Sequence, residues 1–367
     1  MIFLISIVAS FMGTFILLPV IIKVATSIDL LDIPDRRKIH YVGIPSLGGV
    51  AIFFGMMMAI VITVSITDLA TFKYLLTGMC LIFILGIRDD VSSLLAKHKL
   101  AVQIFAAMMV VFFSDIRLSG LYNIAGIGLL PYGLDYVLSI FIIVAMTNSF
   151  NLIDGIDGLA GTLGIIILSF FAWTFLVAGQ TALAVISISG VGALFAFLYY
   201  NWHPSKVFMG DTGSMILGFM ISSLAISAIN ASNELVVNSF LTINASVALI
   251  VACLIIPIYD TSRVFLIRFS QGRSPLSPDR NHIHHRLLKV GFNHAQATIT
   301  LASLNIFSIG ITLFLNQFFT NGQIILILMI NVAAFGGIVD FIAARKGTLG
   351  KSAKITAKKI MEISKSA

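Results

Sequence analysis

The sequence predicts an all-α, polytopic integral membrane protein with about eleven transmembrane helices. Only 11% of its 367 residues are charged and 58% are hydrophobic, with a mean hydropathy of +1.03. Apolar runs of about 20 residues, the length needed to cross a bilayer, recur along the whole chain. We therefore expect one transmembrane domain over residues 1–344, followed by a basic cytoplasmic tail over residues 345–367.

The predicted spans follow the apolar runs, each with ends defined to within about 2–4 residues. No basic residue precedes Lys23, so we expect the first span to be retained and not to be a cleaved signal peptide. Both cysteines lie inside apolar runs, which argues against a disulfide framework or a cysteine-based metal site. The eleven spans are 1–23, 47–66, 71–87, 99–114, 133–149, 160–178, 181–200, 214–231, 236–262, 295–315 and 321–344.

The distribution of basic residues predicts the orientation of these spans. With Met1 outside, 21 of the 23 lysines and arginines fall on or beside the inner face, leaving only Lys73 and Arg117 outside. This asymmetry is what the positive-inside rule requires. The formal charge of +7 therefore indicates contact with anionic lipid and phosphate, and no nucleic-acid partner is expected.

Polar residues interrupt the apolar pattern in four clusters, and the predicted topology places all four on the inner face. Carboxylates at a membrane edge indicate a functional site, because each is costly to hold near hydrocarbon. Mg²⁺ in proteins usually pairs one or two carboxylates with substrate phosphates, so the clusters indicate a divalent cation and a phosphate-rich substrate. They are Asp89-Asp90, Asn148–Asp157, Phe208–Ser214 and Gly272–Arg286.

The first two clusters each have a simpler alternative. Asp89-Asp90 is suited to binding a cation, or to general-base chemistry, but could equally be an ordinary charged helix end. Asn148, Asn151 and Asp154 are spaced by three residues and share a helix face, with Asp157 following. Either aspartate of that cluster could cap the next span, although capping does not require two amides and two carboxylates.

The last two clusters are also open to more than one interpretation. Asp211 is a candidate cation ligand or a helix cap, and Phe208 an interfacial aromatic or a platform for a base. In the final loop, three histidines in four positions stand beside arginines. They fit diphosphate recognition better than a zinc site, because adjacent arginines would repel a metal ion. A basic loop that only sets topology explains the arginines but not the histidines.

Taken in order, these motifs resemble those of the polyprenyl-phosphate N-acetylhexosamine-1-phosphate transferase family, and the similarity covers nearly the whole chain. The His-Ile-His-His-Arg motif is similar to the branch that uses UDP-N-acetylglucosamine (UDP-GlcNAc). The resemblance implies Mg²⁺-dependent transfer of GlcNAc-1-phosphate to undecaprenyl or another polyprenyl phosphate, releasing UMP. This is the initiating step of cell-envelope polysaccharide synthesis. It further implies a bacterial inner-membrane enzyme with a cytoplasmic active site, Mn²⁺ as a substitute metal, and a homodimer as an alternative to a monomer.

The resemblance also implies roles for particular residues, carried over motif by motif. Asp89 is the candidate base or phosphate-activating carboxylate, with Asp90 beside it. Asn151 and Asp211 would hold Mg²⁺, with Asp154 as a nearby catalytic carboxylate. Among the substrate-binding residues, Asp157 and Phe208 would meet uridine and Lys99 the diphosphate. The sugar phosphate would meet His282, His284, His285 and Arg286. Asn148 and Arg280 are also expected to bind substrate. Ser93 departs from the family's acidic motif, which often has a third aspartate there.

Two other classes of protein compete with this interpretation. An intramembrane aspartyl protease would use Gly-Asp and Tyr-Asp motifs, which occur at Gly210-Asp211 and Tyr259-Asp260 but in the reverse chain order. A cation transporter would place its acids near the middle of the membrane and not at one edge. The sequence does not separate direct attack by the lipid phosphate from a two-step route through a phospho-aspartate.

Overall fold

The computed structural model describes residues 1–32, 43–124, 126–234, 246–273 and 281–366. Within these residues the chain forms thirteen helices and two short antiparallel hairpins, β1 (Leu31–Asp32) with β2 (Ile44–Pro45) and β3 (Gly120–Ile124) with β4 (Ile127–Leu129). The helices are α1 (Ile2–Ser27), α2 (Gly48–Thr63), α3 (Ile66–Val91), α4 (Ala96–Phe113), α5 (Leu134–Ile153), α6 (Leu159–Val177), α7 (Thr181–Asn201), α8 (Gly210–Glu234), α9 (Ser246–Cys253), α10 (Ile255–Ser270), α11 (Ile283–Val290), α12 (His294–Leu315) and α13 (Asn321–Ser366).

The prediction of an all-α, multi-pass membrane protein is confirmed. Nine helices in the described part of the chain are long and apolar enough to cross a membrane, and the bent pair α9–α10 raises this to ten. The apolar α2 has only 16 residues. The count of eleven spans stays a prediction.

Small residues let α3, α2 and α5 approach α8 closely, and this positions the polar clusters. A Cβ on Gly86 of α3 would lie 2.3 Å from the Cα of Thr212, and one on Gly49 of α2 would lie 2.1 Å from the nitrogen of Gly213. On the other side, a Cβ on Gly218 would lie 2.8 Å from the Cα of Thr147. Such packing is typical of helices in membranes. It brings the ends of α3 and α5 against the first turn of α8.

The ninth predicted span, 236–262, is not one straight helix. Residues 235–245 lie outside the described part of the chain, and the remainder forms α9 and α10, which meet at an angle of 76°. Pro257 has no backbone N–H to donate to the carbonyl of Cys253, so the helix is interrupted there. The side-chain amide of Asn305 donates to the carbonyls of Ala252 and Cys253, at 3.0 Å each. A polar side chain from α12 thus satisfies backbone groups that lipid could not.

Candidate active site

A cleft of about 680 Å³ opens where the ends of α3 and α5 meet the start of α8. We call it the acidic cleft, because six aspartates contribute to its wall in addition to one lysine and several small or polar residues. Its lining consists of Asp29, Leu30, Leu31, Ser46, Asp89, Asp90, Ser93, Lys99, Asp154, Gly155, Ile156, Asp157, Asn201, Phe208, Gly210 and Asp211. Seven residues predicted for the site from three separate parts of the sequence therefore meet here: Asp89, Asp90, Lys99, Asp154, Asp157, Phe208 and Asp211.

Asp90 caps the first turn of α8. Its Oδ1 accepts the N–H of Asp211 at 2.7 Å, and its Oδ2 accepts the N–H and the hydroxyl of Thr212 at 3.0 and 2.5 Å. A carboxylate at a helix N-terminus satisfies donors that have no partner within the helix and complements the helix dipole. Asp90 therefore fixes α3 to α8, a positioning role beside the catalytic role expected from the sequence.

Lys99 lies between Asp89 and Asp211. Its Nζ donates to Asp211 Oδ2 at 2.9 Å and also contacts Asp89 Oδ2. The other oxygen of Asp89 accepts the N–H of Leu94 at 2.7 Å, and Asp89 is only 5% exposed. Both oxygens of Asp89 are thus engaged by donors. One lysine offsets the charge of two carboxylates that the sequence places 122 residues apart.

Asn151 holds the other side of Asp211. The Asn151 amide nitrogen donates to Asp211 Oδ1 at 2.9 Å and to Ser214 Oγ at 3.0 Å. Because the Asp211 side chain bonds Asn151 and Lys99, and its own backbone N–H is capped by Asp90, the alternative of Asp211 as the helix cap is wrong. Asn148 lies away from the cleft lining, where its amide bonds Gln103 Oε1 at 2.7 Å.

Asp154 follows α5 and lines the acidic cleft without a hydrogen-bond donor from the described residues. Burial, together with the negative charges of Asp211, Asp90 and Asp157, raises the pKa of its carboxyl to about 7. Neighbouring carboxylates disfavour the ionised form of one another unless a cation lies among them. Asp154 is therefore the carboxylate of the cleft for which an added cation would change the electrostatics most.

Asp157 is held by three side chains from distant parts of the chain. Its Oδ2 lies 2.6 Å from His203 Nδ1 and 3.2 Å from His294 Nδ1, and its Oδ1 accepts the hydroxyl of Ser205 at 3.0 Å. Burial opposes ionisation, but the bonds to His294 and His203 outweigh it and lower the pKa to about 2.

Neither Asp154 nor Asp157 caps α6. The residue that precedes α6 is Gly158, which lies in the left-handed region at φ +77° and provides no side-chain cap. Its N–H bonds the side-chain oxygen of Asn201 at 2.9 Å instead. The capping alternative for these two aspartates is therefore wrong.

The histidine motif starts α11 and lies behind the cleft, not in its lining. His282 Nδ1 lies 2.8 Å from Asp260 Oδ2, and the N–H of Ile283 donates to Asp260 Oδ1 at 2.6 Å. Arg286 bonds the side chain of Asn281 at 3.1 Å and lies 3.4 Å from Asp340. His285 is partly exposed. Arg280, a predicted substrate-binding residue, lies outside the described residues.

His284 packs directly against the cleft wall. A Cβ on Gly155 would lie 2.3 Å from His284 Nε2, so only glycine leaves room for this ring. His284 is 1% exposed, and neither ring nitrogen has a hydrogen-bond partner among the described residues. Burial lowers the pKa of the imidazole to about 3, so the ring is neutral at pH 7. A buried polar group without a partner costs about 1–3 kcal/mol, which indicates that a bound molecule could supply the bond.

Comparison with known proteins finds sequences that are similar over most of this chain. A family model described as Glycosyl transferase family 4 matches residues 72–229. The chain is 33% identical over 313 residues to a probable undecaprenyl-phosphate N-acetylglucosaminyl 1-phosphate transferase of Bacillus subtilis (strain 168), with 83% of each chain covered. The chain belongs to the polyprenyl-phosphate N-acetylhexosamine-1-phosphate transferase family.

Two further relatives of this polyprenyl-phosphate transferase are similar over most of their length. The decaprenyl-phosphate N-acetylglucosaminephosphotransferase of Mycolicibacterium smegmatis is 35% identical over 290 residues, which cover 73% of this chain and 71% of the relative. The undecaprenyl-phosphate alpha-N-acetylglucosaminyl 1-phosphate transferase of Escherichia coli (strain K12) is 32% identical over 298 residues, covering 79% and 78%.

Several residues that build the transferase site were not predicted from the sequence. Asp260 was considered only as half of a protease motif, yet it bonds His282 and Ile283, whereas Asp211 bonds Lys99 and Asn151. The two aspartates have separate partners and do not form the shared pair that an aspartyl protease needs. A buried carboxylate in an apolar run was the available signal. Thr212, His203 and His294 carry no such signal, because each is a common residue near a helix end.

Proposed function

We propose that this protein transfers GlcNAc-1-phosphate from UDP-GlcNAc to a polyprenyl phosphate, with release of UMP. The observation that carries the proposal is the convergence of Asp89, Asp154 and Asp211 with Lys99 in one cleft at the edge of a helical membrane domain. Relatives of the family are named for this activity toward undecaprenyl or decaprenyl phosphate. An edge site suits a reaction between a water-soluble donor and a phosphate attached to a membrane lipid.

The donor set fits Mg²⁺, with Mn²⁺ as a substitute. Asp211, Asp154 and the Asn151 amide oxygen would hold the ion, because hard cations take oxygen ligands. Asp154 supports this assignment: no side chain or backbone group among the described residues donates to it, and burial and neighbouring carboxylates raise its pKa. When bound, the ion would supply neutralisation of charge on the donor diphosphate.

The remaining groups position the two substrates. The Lys99 side chain lines the cleft, and its Nζ is held between Asp89 and Asp211. Its positive charge would contact the diphosphate. Phe208 lines the cleft and offers a ring face for the uracil base. Asp157, fixed by His203 and Ser205, would present its polar edge to the uridine. His284, His285 and Arg286 would approach the sugar phosphate from behind Gly155. Neither ring nitrogen of His284 has a partner in the part of the chain that the structure describes.

Direct attack by the lipid phosphate is the mechanism that this arrangement favours. A polyprenyl phosphate is ionised near neutral pH, so the attacking oxygen needs no general base. Asp89 has both oxygens engaged, by Lys99 and by the N–H of Leu94, and is a poor candidate for a covalent nucleophile. In-line attack on the β-phosphorus then breaks its bond to the α-phosphate oxygen and releases UMP. Holding two anions against one cationic site provides the rate enhancement.

We place the cleft on the cytoplasmic side of a bacterial inner membrane. The support is the predicted orientation, in which 21 of the 23 basic residues lie on or beside the face that carries the site. The donor nucleotide is cytoplasmic in this proposal, and the lipid acceptor enters from the inner leaflet. Whether the enzyme is a monomer or a homodimer stays a prediction.

The test is a transfer assay with purified protein in detergent. Radiolabelled UDP-GlcNAc, Mg²⁺ and undecaprenyl phosphate should give a butanol-extractable labelled lipid and an equal amount of UMP. Asp211→Asn should lose nearly all turnover and keep its thermal stability within a few degrees. Asp115→Asn, an exposed aspartate outside the cleft, is the matched control and should retain full activity.

Three outcomes would correct the proposal. Turnover with a different UDP-sugar, but not with UDP-GlcNAc, would refute the donor assignment and leave the chemistry. Full activity of Asp211→Asn would remove Asp211 from the metal site. Exchange of labelled UMP into UDP-GlcNAc without any lipid acceptor would show a covalent intermediate, and with it a two-step mechanism.

A further inference from the structure

Asp260 lies on α10, has no part in the proposed reaction as described so far, and is almost completely buried at 1% exposure. Its two oxygens have different partners. Oδ1 accepts the backbone N–H of Ile283 at 2.6 Å, which caps the start of α11. Oδ2 lies 2.8 Å from His282 Nδ1. A carboxylate oxygen accepts hydrogen bonds, so this contact is satisfied when Nδ1 of His282 carries the ring proton and donates it to Oδ2.

Two stacked rings connect Asp260 to the acidic cleft. The His282 and His284 rings are parallel to within 9°, with centroids 5.6 Å apart. His284 in turn packs against Gly155, the neighbour of Asp154 in the cleft lining. The orientation of His282 therefore bears directly on His284, and through it on the wall beside the proposed metal and sugar-phosphate positions.

Arg263, one turn further along α10, bonds Asn281, the residue that precedes His282. Its guanidinium donates to the carbonyl of Asn281 at 2.5 Å and to Asp340 Oδ2 on α13 at 2.5 Å. Residues 281 and 283 are thus both bonded to α10, one by Arg263 and one by Asp260. With the backbone fixed on either side, the bond from Asp260 to Nδ1 sets the rotation of the His282 ring and its tautomer.

We propose that Asp260 is a positioning residue for the transfer reaction. It holds His282 with Nδ1 as a donor, so that Nε2 is the nitrogen free to accept a hydrogen bond or a proton at the sugar-phosphate side. This inference rests on the proposed function and extends it to a residue 22 positions before the histidine motif. The carboxylate stands on the helix that follows the break, where α9 and α10 meet at 76°.

Asp260→Asn tests the proposal without removing a hydrogen bond. Asparagine can still accept the N–H of Ile283, and it caps helices about as well as aspartate. Its amide nitrogen, however, must donate to Nδ1, which moves the His282 proton to Nε2. We expect a melting temperature within a few degrees of the wild type, a fall in kcat of about 100-fold, and a change in KM of less than about 3-fold.

A double-variant cycle shows whether the loss acts through His282. In a His282→Ala background, Asp260→Asn should lower kcat by less than about 3-fold further, because coupled residues are not additive. His282→Asn provides a second variant in case Asp260→Asn folds poorly: its amide replaces Nδ1 and keeps the bond to Asp260, but it has no counterpart of Nε2. Wild-type turnover in either Asp260→Asn or His282→Asn would overturn the proposal and leave Asp260 as a helix cap.

A readout that does not depend on turnover separates this inference from the proposed function. In protein with ¹⁵N-labelled imidazoles, the His282 signals, identified by their loss in His282→Ala, should show a protonated Nδ1 in the wild type. In Asp260→Asn they should show a protonated Nε2. Identical signals in the two proteins would refute the proposal even if both are active. Failure of the wild type to form labelled lipid would instead refute the proposed function.

Discussion

Gly86 and Thr212 are in contact across the α3–α8 interface, so closely that a Cβ on Gly86 would lie 2.3 Å from the Cα of Thr212. Gly86 lies one helical turn before Asp90 on α3. The Asp90 carboxylate accepts the N–H groups of Asp211 and Thr212 and so caps the first turn of α8. The close packing and the cap act together, because the cap forms only if the two backbones approach to this distance.

Gly86→Ala should therefore disturb the acidic cleft, although Gly86 is not one of the residues that line it. The added methyl group meets backbone atoms that cannot move aside, and overpacking of this kind costs about 1–3 kcal/mol. We expect a lower melting temperature and reduced turnover. Gly310→Ala on α12 is the matched control, since nothing lies within 4 Å of its Cβ position. Equal behaviour of the two variants would mean that the helix contact has no bearing on the cleft.

Lys99→Met should lower stability as well as activity. Without the ammonium group, Asp89 keeps its charge in a site where it is 5% exposed, and an unpaired buried charge of this kind costs about 3–5 kcal/mol. Adding Asp89→Asn should recover part of the stability but none of the activity. Melting temperatures of the two variants, with the exposed Lys97→Met as a control, check this. A stable Lys99→Met would contradict the assigned ion pair.

Gly155→Ala should be rescued by a second substitution. The new Cβ would lie 2.3 Å from His284 Nε2, which forces the ring away from the cleft wall and lowers stability and turnover. In Gly155→Ala/His284→Ala the clash is gone, so the melting temperature should rise above that of the single variant. Turnover should remain low, because the imidazole is missing. Recovery of turnover in the double variant would exclude a role for His284 with substrate.

Asn305→Leu should destabilise the broken span. The side chain keeps its approximate size but leaves the carbonyls of Ala252 and Cys253 without their donor, at a cost of about 1–3 kcal/mol each. Ser308→Ala on the same helix is the control, since its hydroxyl donates to the carbonyl of Leu304 within that helix. Thermal unfolding in detergent measures both, and equal stability of the two variants would show that Asn305 is not needed at the break.

The bonds to Asp157 predict a pH-dependent stability. Because its folded-state pKa is about 2, below its ordinary value of 3.8, the carboxylate contributes stability above about pH 4 that is lost as the pH falls toward 2. His203→Phe/His294→Phe removes two of the three side-chain partners and leaves Ser205 and the burial that raises the pKa. The difference in melting temperature from the wild type should be largest near pH 7 and shrink below pH 4. A difference that stays constant between pH 7 and pH 3 would contradict this assignment.

The sequence predicted the acidic cleft well because charge is rare in this chain. Asp89, Asp211 and Lys99 each stand at the edge of an apolar run, and a membrane topology that places them on one face leaves few other arrangements. The separate functions of Asp89 and Asp90 could not be predicted. The cap that Asp90 forms on α8 depends on the distance between α3 and α8, and Gly86 sets that distance.

The histidine motif shows what a linear pattern cannot give. The apolar run over 236–262 appears continuous, so Pro257 alone did not indicate a bend of 76°. The residue that stabilises the bend, Asn305, lies about 50 positions later in the sequence. The partner of His282 is on the far side of that bend. Side-chain bonds between distant helices depend on packing that no local propensity encodes.

The pairing of Gly86 with Asp90 also sets what kinds of sequence change α3 can accept. Residues four apart lie on the same face of a helix, whereas neighbours point about 100° apart, so Asp90 faces α8 while Asp89 faces Lys99. A single-residue insertion or deletion between positions 86 and 90 would rotate both carboxylates away from their partners at once. Within this helix, substitutions at lipid-facing positions such as Ile84 should be tolerated, whereas a change in length should not.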